Sequence, residues 1–282
     1  MKYGSMLLLL VLGTSSAVAE TVERPFNGGT LEAEYIAPSK AGRGVVLLYP
    51  DTVRADEEGR KSLQEALTRA GYGVLVARPG GDADCSGVWR RLHRDGMDEV
   101  GGWFDWLLQR GISRVHFLGS GRGGNQVAWF LARSRHPALG TAILLDPMVW
   151  RRDKETKRYE EEHGRPLEPL LEEARELREQ GRSDETLSAI GFLHCEAVDV
   201  TAAALLSYYA DEPNLDTSRL LDDLPGPATV LVGPDHEGRQ RLQRAAEGGK
   251  TKVRLLEKGV EEGAPSVVAG ILEERGEDAA GR

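Results

Sequence analysis

The chain has 282 residues, of which 29% are charged, and its formal net charge at pH 7 is −9. A net-acidic protein is a poor candidate for nucleic-acid binding, because neutralising phosphate groups requires a positive surface. The length is sufficient for one large domain with a sizeable core. Two cysteines and six scattered histidines argue against a structural zinc site, so neither a metal nor a cofactor is expected.

The N-terminus has the features of a secretory signal peptide at residues 1–19. Lys2 precedes an apolar run over residues 6–12, and an Ala-Val-Ala site at residues 17–19 suits cleavage after it. The apolar run is too short to span a bilayer, and no later segment has 18 consecutive apolar residues. We therefore expect an exported protein, periplasmic or secreted, with no stable membrane insertion.

Strands and helices alternate along the rest of the chain. Continuous apolar runs such as GVVLLY at residues 44–49 are typical of strands buried on both faces of a parallel sheet. The predicted strands lie at residues 31–36, 44–49, 73–77, 114–118, 141–145, 228–232 and 252–256. The predicted helices, from apolar residues at helical spacing, lie at residues 57–70, 96–109, 125–133 and 265–274. This alternation predicts an α/β fold with a mostly parallel central sheet flanked by helices.

Residues 151–210 are expected to be a long insertion between two of these strands. The first half of the insertion is intensely charged and carries a narrow apolar stripe, formed by Leu167, Leu170, Leu171, Ala174 and Leu177. The stripe predicts a helical cap over one end of the sheet, and a solvated helical hairpin is the alternative. Residues 20–275 then form one domain, and the polar segment 276–282 is expected to be a disordered tail.

Cys85 and Cys195 are the two cysteines of the chain. An even pair in an oxidising compartment suggests one disulfide bond, and two reduced thiols are the alternative. A free Cys85 would follow the loop after a predicted strand, from which it could reach a site at the edge of the sheet. A disulfide bond would prevent it from acting as a nucleophile.

The stretch VHFLGSGRGGN, residues 115–125, joins a predicted strand to a predicted helix. The nucleophile elbow of serine hydrolases reads G-x-S-x-G and places its serine on a sharp turn between a strand and a helix. Here Gly119 and Gly123 keep the frame, but its centre is Gly121, and Ser120 lies one position early. The same stretch matches the dinucleotide pattern G-x-G-x-x-G, but not at the first strand-to-helix turn, where that pattern belongs.

Three local patterns and the order of elements resemble the α/β-hydrolase superfamily, in particular its esterases and lipases, over residues 30–275. The patterns are LLYPDTVRADEEGRKSLQEALTRAGYGVLVARPGG, VHFLGSGRGGNQVAWFLAR and GPATVLVGPDHEG. The resemblance implies the α/β-hydrolase fold and a catalytic triad whose members occur in the chain order nucleophile, acid and histidine.

The implied triad is degenerate at its nucleophile and its acid. Gly121 stands at the nucleophile position and has no group that could attack a carbonyl carbon. The family's usual acid position falls on His236, and Asp235 is one residue short of it. Asp146, at the end of the preceding parallel strand, is a second candidate acid, although it is also an ordinary strand-ending residue. Ser120 is expected to form a hydrogen bond within the turn.

The implied base and oxyanion loop are also altered. The base should follow the last strand, but the sequence has no histidine after His236, which is therefore the one candidate base near the sheet's carboxyl edge. Where relatives carry His-Gly after the first buried strand, this chain has Tyr49-Pro50-Asp51. Proline lacks an N–H group, and an aspartate would place negative charge beside a developing oxyanion.

Two functional hypotheses follow. The first is an exported α/β-hydrolase-fold protein without serine-hydrolase activity, which acts as a binding or interaction protein for a small apolar or acyl ligand or for an envelope protein. The alternative is an active esterase-like hydrolase with displaced residues, in which Ser120 or Cys85 serves as nucleophile and His236 as base.

Overall fold

The structure is a computed structural model, and the residues that it describes are 19–27, 29–51, 57–78, 80, 85–226 and 228–280, without the side chains of 260, 261 and 275–280. Most of the predicted signal peptide, residues 1–18, lies outside the described residues. The first strand begins at Glu20.

Eleven strands are present in the described chain, eight of them in one central sheet. The strands are β1 (Glu20–Phe26), β2 (Gly29–Ile36), β3 (Val45–Tyr49), β4 (Gly73–Arg78), β5 (Val88–Trp89), β6 (Val115–Ser120), β7 (Leu139–Leu145), β8 (Thr186–Phe192), β9 (Cys195–Thr201), β10 (Ala228–Val232) and β11 (Lys252–Leu255). The order of the central sheet is β1-β2-β4-β3-β6-β7-β10-β11. The pairs β1–β2 and β2–β4 are antiparallel, and all pairs from β4 to β11 are parallel.

Eight α-helices accompany these strands in the described part of the chain. They are α1 (Glu57–Arg69), α2 (His93–Gln109), α3 (Gly121–Arg133), α4 (Arg152–His163), α5 (Glu168–Glu179), α6 (Ala202–Tyr209), α7 (Arg239–Ala246) and α8 (Val260–Ala280). Short 3-10 turns at residues 213–223 lead into β10. No helix among the described residues has the length and apolar character needed to cross a membrane.

The two faces of the sheet are covered by different helices, as the continuous apolar strands require. On one face the core includes Trp103 and Leu107 of α2 and Val127 of α3. On the other face Leu67 of α1 packs with Val268 of α8 against strand residues. The expected mostly parallel α/β sheet is therefore confirmed, because each predicted strand from residue 31 onward lies within it.

The insertion at residues 151–210 is a cap, but it is not wholly helical as expected. Its first half contains α4 and α5, whereas its second half is an antiparallel hairpin of β8 and β9 followed by α6. Leu187 is buried between two exposed residues, as in a half-buried strand, but register shifts between Leu187 and Phe192 interrupt a strict alternation along the hairpin. The helical expectation was wrong there because it extended the pattern of the first half.

A third strand of the cap comes from elsewhere in the chain. Strand β5, which precedes α2, pairs parallel with β9, so we use "the cap" for residues 151–210 together with β5. The cap has a core of its own, in which Trp89 of β5 packs against Phe192 and Tyr208. The apolar stripe of α5 contributes to the same core through residues such as Leu171 and Ala174.

The C-terminal segment also differs from its expectation. Helix α8 continues to Ala280, so the segment 276–282, which was expected to be disordered, is helical as far as that residue. Residues 281 and 282 lie outside the described residues.

The predicted disulfide bond is confirmed. Cys85 and Cys195 are joined, with their Cα atoms 5.6 Å apart, and the bond closes a loop across a sequence separation of 110 residues. Cys85 lies in the segment before α2, and Cys195 begins β9. The bond therefore links the cap covalently to the sheet domain. The bond also excludes Cys85 as a free nucleophile.

Removal of the disulfide bond should lower stability substantially. In the chain-entropy model a loop of about 110 residues corresponds to a stabilisation of about 4–5 kcal/mol, which the double variant C85A/C195A should lose in whole or in part. The free energy of unfolding from urea denaturation measures the loss. Dithiothreitol should destabilise the wild-type protein and leave the double variant unchanged; equal midpoints for the oxidised protein and the variant would contradict this prediction.

Candidate functional site

The turn between β6 and α3 has the backbone of a nucleophile elbow. Strand β6 ends at Ser120, and α3 begins at Gly121, whose φ of +53° is in the left-handed region. A side chain at Gly123 would meet the carbonyl oxygen of Tyr49, 2.6 Å from the position of its Cβ atom, so the helix can approach β3 only without one. The glycine frame is therefore required by the packing of α3 against the sheet.

The space that a nucleophile would occupy is filled by Asp51. A Cβ atom built on Gly121 would overlap the carboxylate of Asp51 and lie 3.1 Å from its Cβ atom. The backbone N–H of Arg122 donates to Asp51 Oδ2 at 3.3 Å. In a serine hydrolase, the N–H of the residue after the nucleophile belongs to the oxyanion hole. The Asp51 carboxylate thus fills the space of a nucleophile's side chain and accepts the hydrogen bond that an oxyanion-hole N–H would donate to a substrate.

Ser120 is held by the same residue. Its Oγ accepts a hydrogen bond from the backbone N–H of Asp51 at 3.1 Å. No hydrogen bond between Ser120 and His236 is found in the described chain, where the ring Nδ1 of His236 accepts instead from the backbone N–H of Gly238 at 3.1 Å. The geometry therefore gives Ser120 a role in fixing the Asp51 turn, and it does not provide the base that a displaced nucleophile needs.

Arg122 places a buried positive charge beside the elbow, which sequence reasoning missed. The residue is 8% exposed, and its Nε atom has no hydrogen-bond partner. Burial opposes the charged form, but the negative charge of Asp51, with smaller contributions from Tyr209 and Glu155, outweighs burial and raises the pKa of Arg122. The signal in the sequence was a lone arginine inside a run of glycines.

Glu155 supplies a second carboxylate from the cap. It is buried on α4, and its burial raises its pKa, while the charges of Arg158 and Arg122 oppose that effect. Arg158 Nη2 also donates to Glu155 Oε2. Arg122 of the elbow and Glu155 of the first cap helix are therefore buried groups of opposite charge that stabilise each other's charged form.

A second buried cluster lies between the sheet and the cap, and we call it the Arg91 cluster: Tyr49, Arg91, Glu99 and Tyr208. Arg91 Nε donates to Glu99 Oε1 at 3.0 Å, and its other nitrogens donate to the hydroxyls of Tyr49 at 3.0 Å and Tyr208 at 3.2 Å. Tyr49 in turn donates to Glu99 Oε2 at 2.6 Å. Burial raises the pKa of Tyr49 well above its ordinary value, so this phenol stays neutral.

His93, at the start of α2, belongs to a polar network beneath the cap. Its Nε2 lies 2.8 Å from Asn125 Oδ1, and Asn125 Nδ2 donates to the backbone oxygen of Asn214 at 2.9 Å and to Thr217 Oγ1 at 3.1 Å. Burial, together with the charges of Arg122 and Arg91, lowers the pKa of His93 to about 3, against a weaker raising effect of its bond to Asn125. A histidine that is neutral and fully buried holds the network together.

The two candidate acids lie apart from the elbow contacts. Asp146 follows β7 with a φ of +39°, and its Oδ1 accepts the backbone N–H of Gly233 at 2.8 Å, which links the ends of β7 and β10. Asp235 is exposed in the turn after β10. Neither carboxylate forms a hydrogen bond with His236 in the described part of the chain. The structure therefore does not bring the sequence-predicted acid and base candidates together as a triad.

Comparison with known proteins shows the fold. No protein-family model and no curated protein sequence matches the chain. Among solved structures, Est1E from Butyrivibrio proteoclasticus matches 95% of this chain and 100% of its own, with 12% identity and a TM-score of 0.60. The α/β hydrolase GrgF from Penicillium sp. sh18 matches 92% of this chain and 99% of its own, with 12% identity and a TM-score of 0.65. A fungal esterase from Rhizomucor miehei matches 94% of this chain and 85% of its own, with 13% identity and a TM-score of 0.59. The chain therefore has the α/β-hydrolase fold, as the sequence patterns implied.

A side chain at the elbow should be costly. The variant Gly121→Ala has to accept a left-handed backbone, at about 1–2 kcal/mol, and must also displace the Asp51 carboxylate. Gly164→Ala is the matched control, because Gly164 has a φ of +65° and nothing within 4 Å of its Cβ position. Urea denaturation should show a larger loss for Gly121→Ala than for the control. In the double variant D51A/G121A the excess should shrink; strictly additive losses would contradict the assignment of Asp51 to this space.

Acid should destabilise the protein through His93. An unfolded histidine takes up a proton near its ordinary pKa of 6.5, whereas folded His93 does so only near 3, so stability is lost as the pH falls below 6.5. Between pH 7 and pH 5 this group should contribute a loss of about 2 kcal/mol. His93→Gln should flatten the pH dependence of the unfolding free energy by that amount, and the exposed His136→Gln is the control. An unchanged slope in His93→Gln would rule the assignment out.

Proposed function

We propose that this α/β-hydrolase-fold chain is an exported binding or interaction protein without serine-hydrolase activity. The observation that carries the proposal is the position of the Asp51 carboxylate. It fills the space that a nucleophile's side chain would occupy at residue 121, and it accepts the backbone N–H of Arg122. A carbonyl substrate would need that N–H for its developing oxyanion, and a negative charge already beside it opposes such a transition state.

The loop after β11 supports the same conclusion. It reads Glu257-Lys258-Gly259 and is exposed, and the sequence contains no histidine after His236. In a triad that works as a unit, loss of nucleophile and base leaves only substrate binding and orientation. A serine at residue 121 would therefore still lack its general base.

The binding partner that we favour is a protein rather than a small acyl ligand. Arg122 and Glu155 are buried, and the Asp51 carboxylate accepts the backbone N–H of Arg122 at the elbow. The disulfide bond and the Arg91 cluster attach the cap to the sheet domain. Recognition through the outer surface needs no opening of the cap.

Export is part of the proposal. The N-terminal residues have the pattern of a signal peptide, and a disulfide bond between Cys85 and Cys195 is of the kind that persists in oxidising compartments. An envelope protein is therefore the class of partner that we propose.

The alternative, an active esterase with Ser120 and His236, is weaker on the contacts described above. The hydroxyl of Ser120 accepts from Asp51, and Nδ1 of His236 accepts from Gly238. Cys85, the other candidate nucleophile, is in the disulfide bond.

A fluorophosphonate probe distinguishes the two hypotheses. Purified wild-type protein should not be labelled, and Gly121→Ser and D51A/G121S should hydrolyse p-nitrophenyl acetate no faster than wild type, because the base is missing in all three. Ser134→Ala serves as the matched control for Ser120→Ala. Labelling of the wild type that Ser120→Ala abolishes and Ser134→Ala preserves would overturn the proposal, and so would esterase activity in Gly121→Ser.

A further inference from the structure

A small polar pocket of about 230 Å³ lies where the cap joins the sheet domain. Trp150, a few residues beyond the carboxyl end of β7, forms part of its wall, with Arg152 from the start of α4 and Arg241 from α7. Ligands of open α/β sheets bind outside the carboxyl ends of the strands, and this pocket has that position. It shares no residue with the elbow.

The floor of the pocket is a built ion-pair cluster around Asp216. This carboxylate is 2% exposed; its Oδ1 accepts from the backbone N–H and the hydroxyl of Ser218, at 3.1 and 2.6 Å. Arg241 Nη2 lies 2.5 Å from Oδ2, and Arg219 Nε lies 3.6 Å from it. Arg241 Nε also donates to Ser218 Oγ at 3.0 Å. Two arginines thus share one buried carboxylate, which leaves the floor with an excess positive charge.

Several arginine donors in the pocket are not used by the described residues. A guanidinium group carries five N–H donors, and Arg219 is engaged there only through its long pair with Asp216. Arg152 has one ion pair, to Glu168, and its 3.8 Å separation is too long for a strong hydrogen bond. Guanidinium groups with free N–H donors are well suited to a carboxylate, which they can bind with two parallel hydrogen bonds.

Acidic side chains with no partner in the described chain also line the pocket. Asp211 and Glu212 are exposed, and neither side chain has an ion pair or a hydrogen bond to another described residue. Acceptors of this kind are suited to an ammonium group. Trp150 lines the same pocket and is 6% exposed; its indole N–H is a buried donor with no partner among the described residues.

We propose that this pocket binds a small zwitterion, an amino acid or a molecule of that size, with its carboxylate on the arginine side and its ammonium group on Asp211 and Glu212. The volume is below the range of 300–1,000 Å³ that is typical for drug-sized ligands, so it suits a smaller molecule. The balance of charges separates this ligand from a simple anion, which the two carboxylates would repel. The elbow takes no part, so the proposal stands independently of the proposed function.

Calorimetric titration of the purified chain tests the proposal with L-alanine, L-glutamine and L-leucine as probes. At least one should bind with a dissociation constant in the millimolar range or tighter. Its N-acetyl derivative, which lacks the ammonium charge, and its amide, which lacks the carboxylate, should each bind at least tenfold more weakly. The variants Arg219→Gln and Glu212→Gln should each weaken binding of the intact amino acid at least tenfold.

Arg182→Gln is the control, because Arg182 is also exposed and ion-paired but lies in the turn after α5 and does not line the pocket. It should leave binding unchanged, and thermal unfolding should show that all three variants are folded. The proposal is overturned if none of the three amino acids binds at 10 mM. Equal binding of an N-acetyl derivative, or undiminished binding by Arg219→Gln, would also overturn it.

Discussion

The contact between the Asp51 carboxylate and the N-terminus of α3 is the interaction on which the centre of the molecule depends. It satisfies a backbone donor of the helix, places negative charge at the positive end of the helix dipole, and neutralises part of the buried charge of Arg122. The contact is available only because residue 121 has no side chain. A glycine at the nucleophile position therefore makes room for a carboxylate at the N-terminus of this helix.

Much of the fold follows from local pattern. The buried strands are continuous apolar runs, and glycines mark the ends of several elements, so the parallel sheet and its helices are visible in the sequence. The hairpin β8–β9 was missed because the preceding helices suggested a wholly helical insertion, and because register shifts interrupt the alternation of buried and exposed residues along it. The pairing of Cys85 with Cys195 was expected from an even number of cysteines together with the expected export to an oxidising compartment.

The candidate site was less accessible to sequence reasoning. The sequence itself shows that residue 121 is not a serine and that no histidine follows His236. Neither observation requires knowledge of which residues lie close together in the fold. The resemblance also placed Asp51 beside the oxyanion position, but its occupation of the nucleophile's space depends on the order of strands in the sheet, which sets β3 beside β6. The Arg91 cluster likewise joins residues that are 42 and 117 positions apart from Arg91, and no local periodicity reports such contacts.

The two-residue strand β5 has a consequence for how the cap can be separated from the rest of the protein. Strand β5 belongs to the chain segment before α2 and would remain if residues 151–210 were excised. Trp89 would then lose its contact with Phe192, and Cys85 would lose its disulfide partner. The excision would also remove Tyr208, a hydrogen-bond partner of Arg91, whose side chain is only 10% exposed. The cap is therefore not a module that could be exchanged at two insertion points, since its third strand and its covalent anchor would stay behind on the sheet domain.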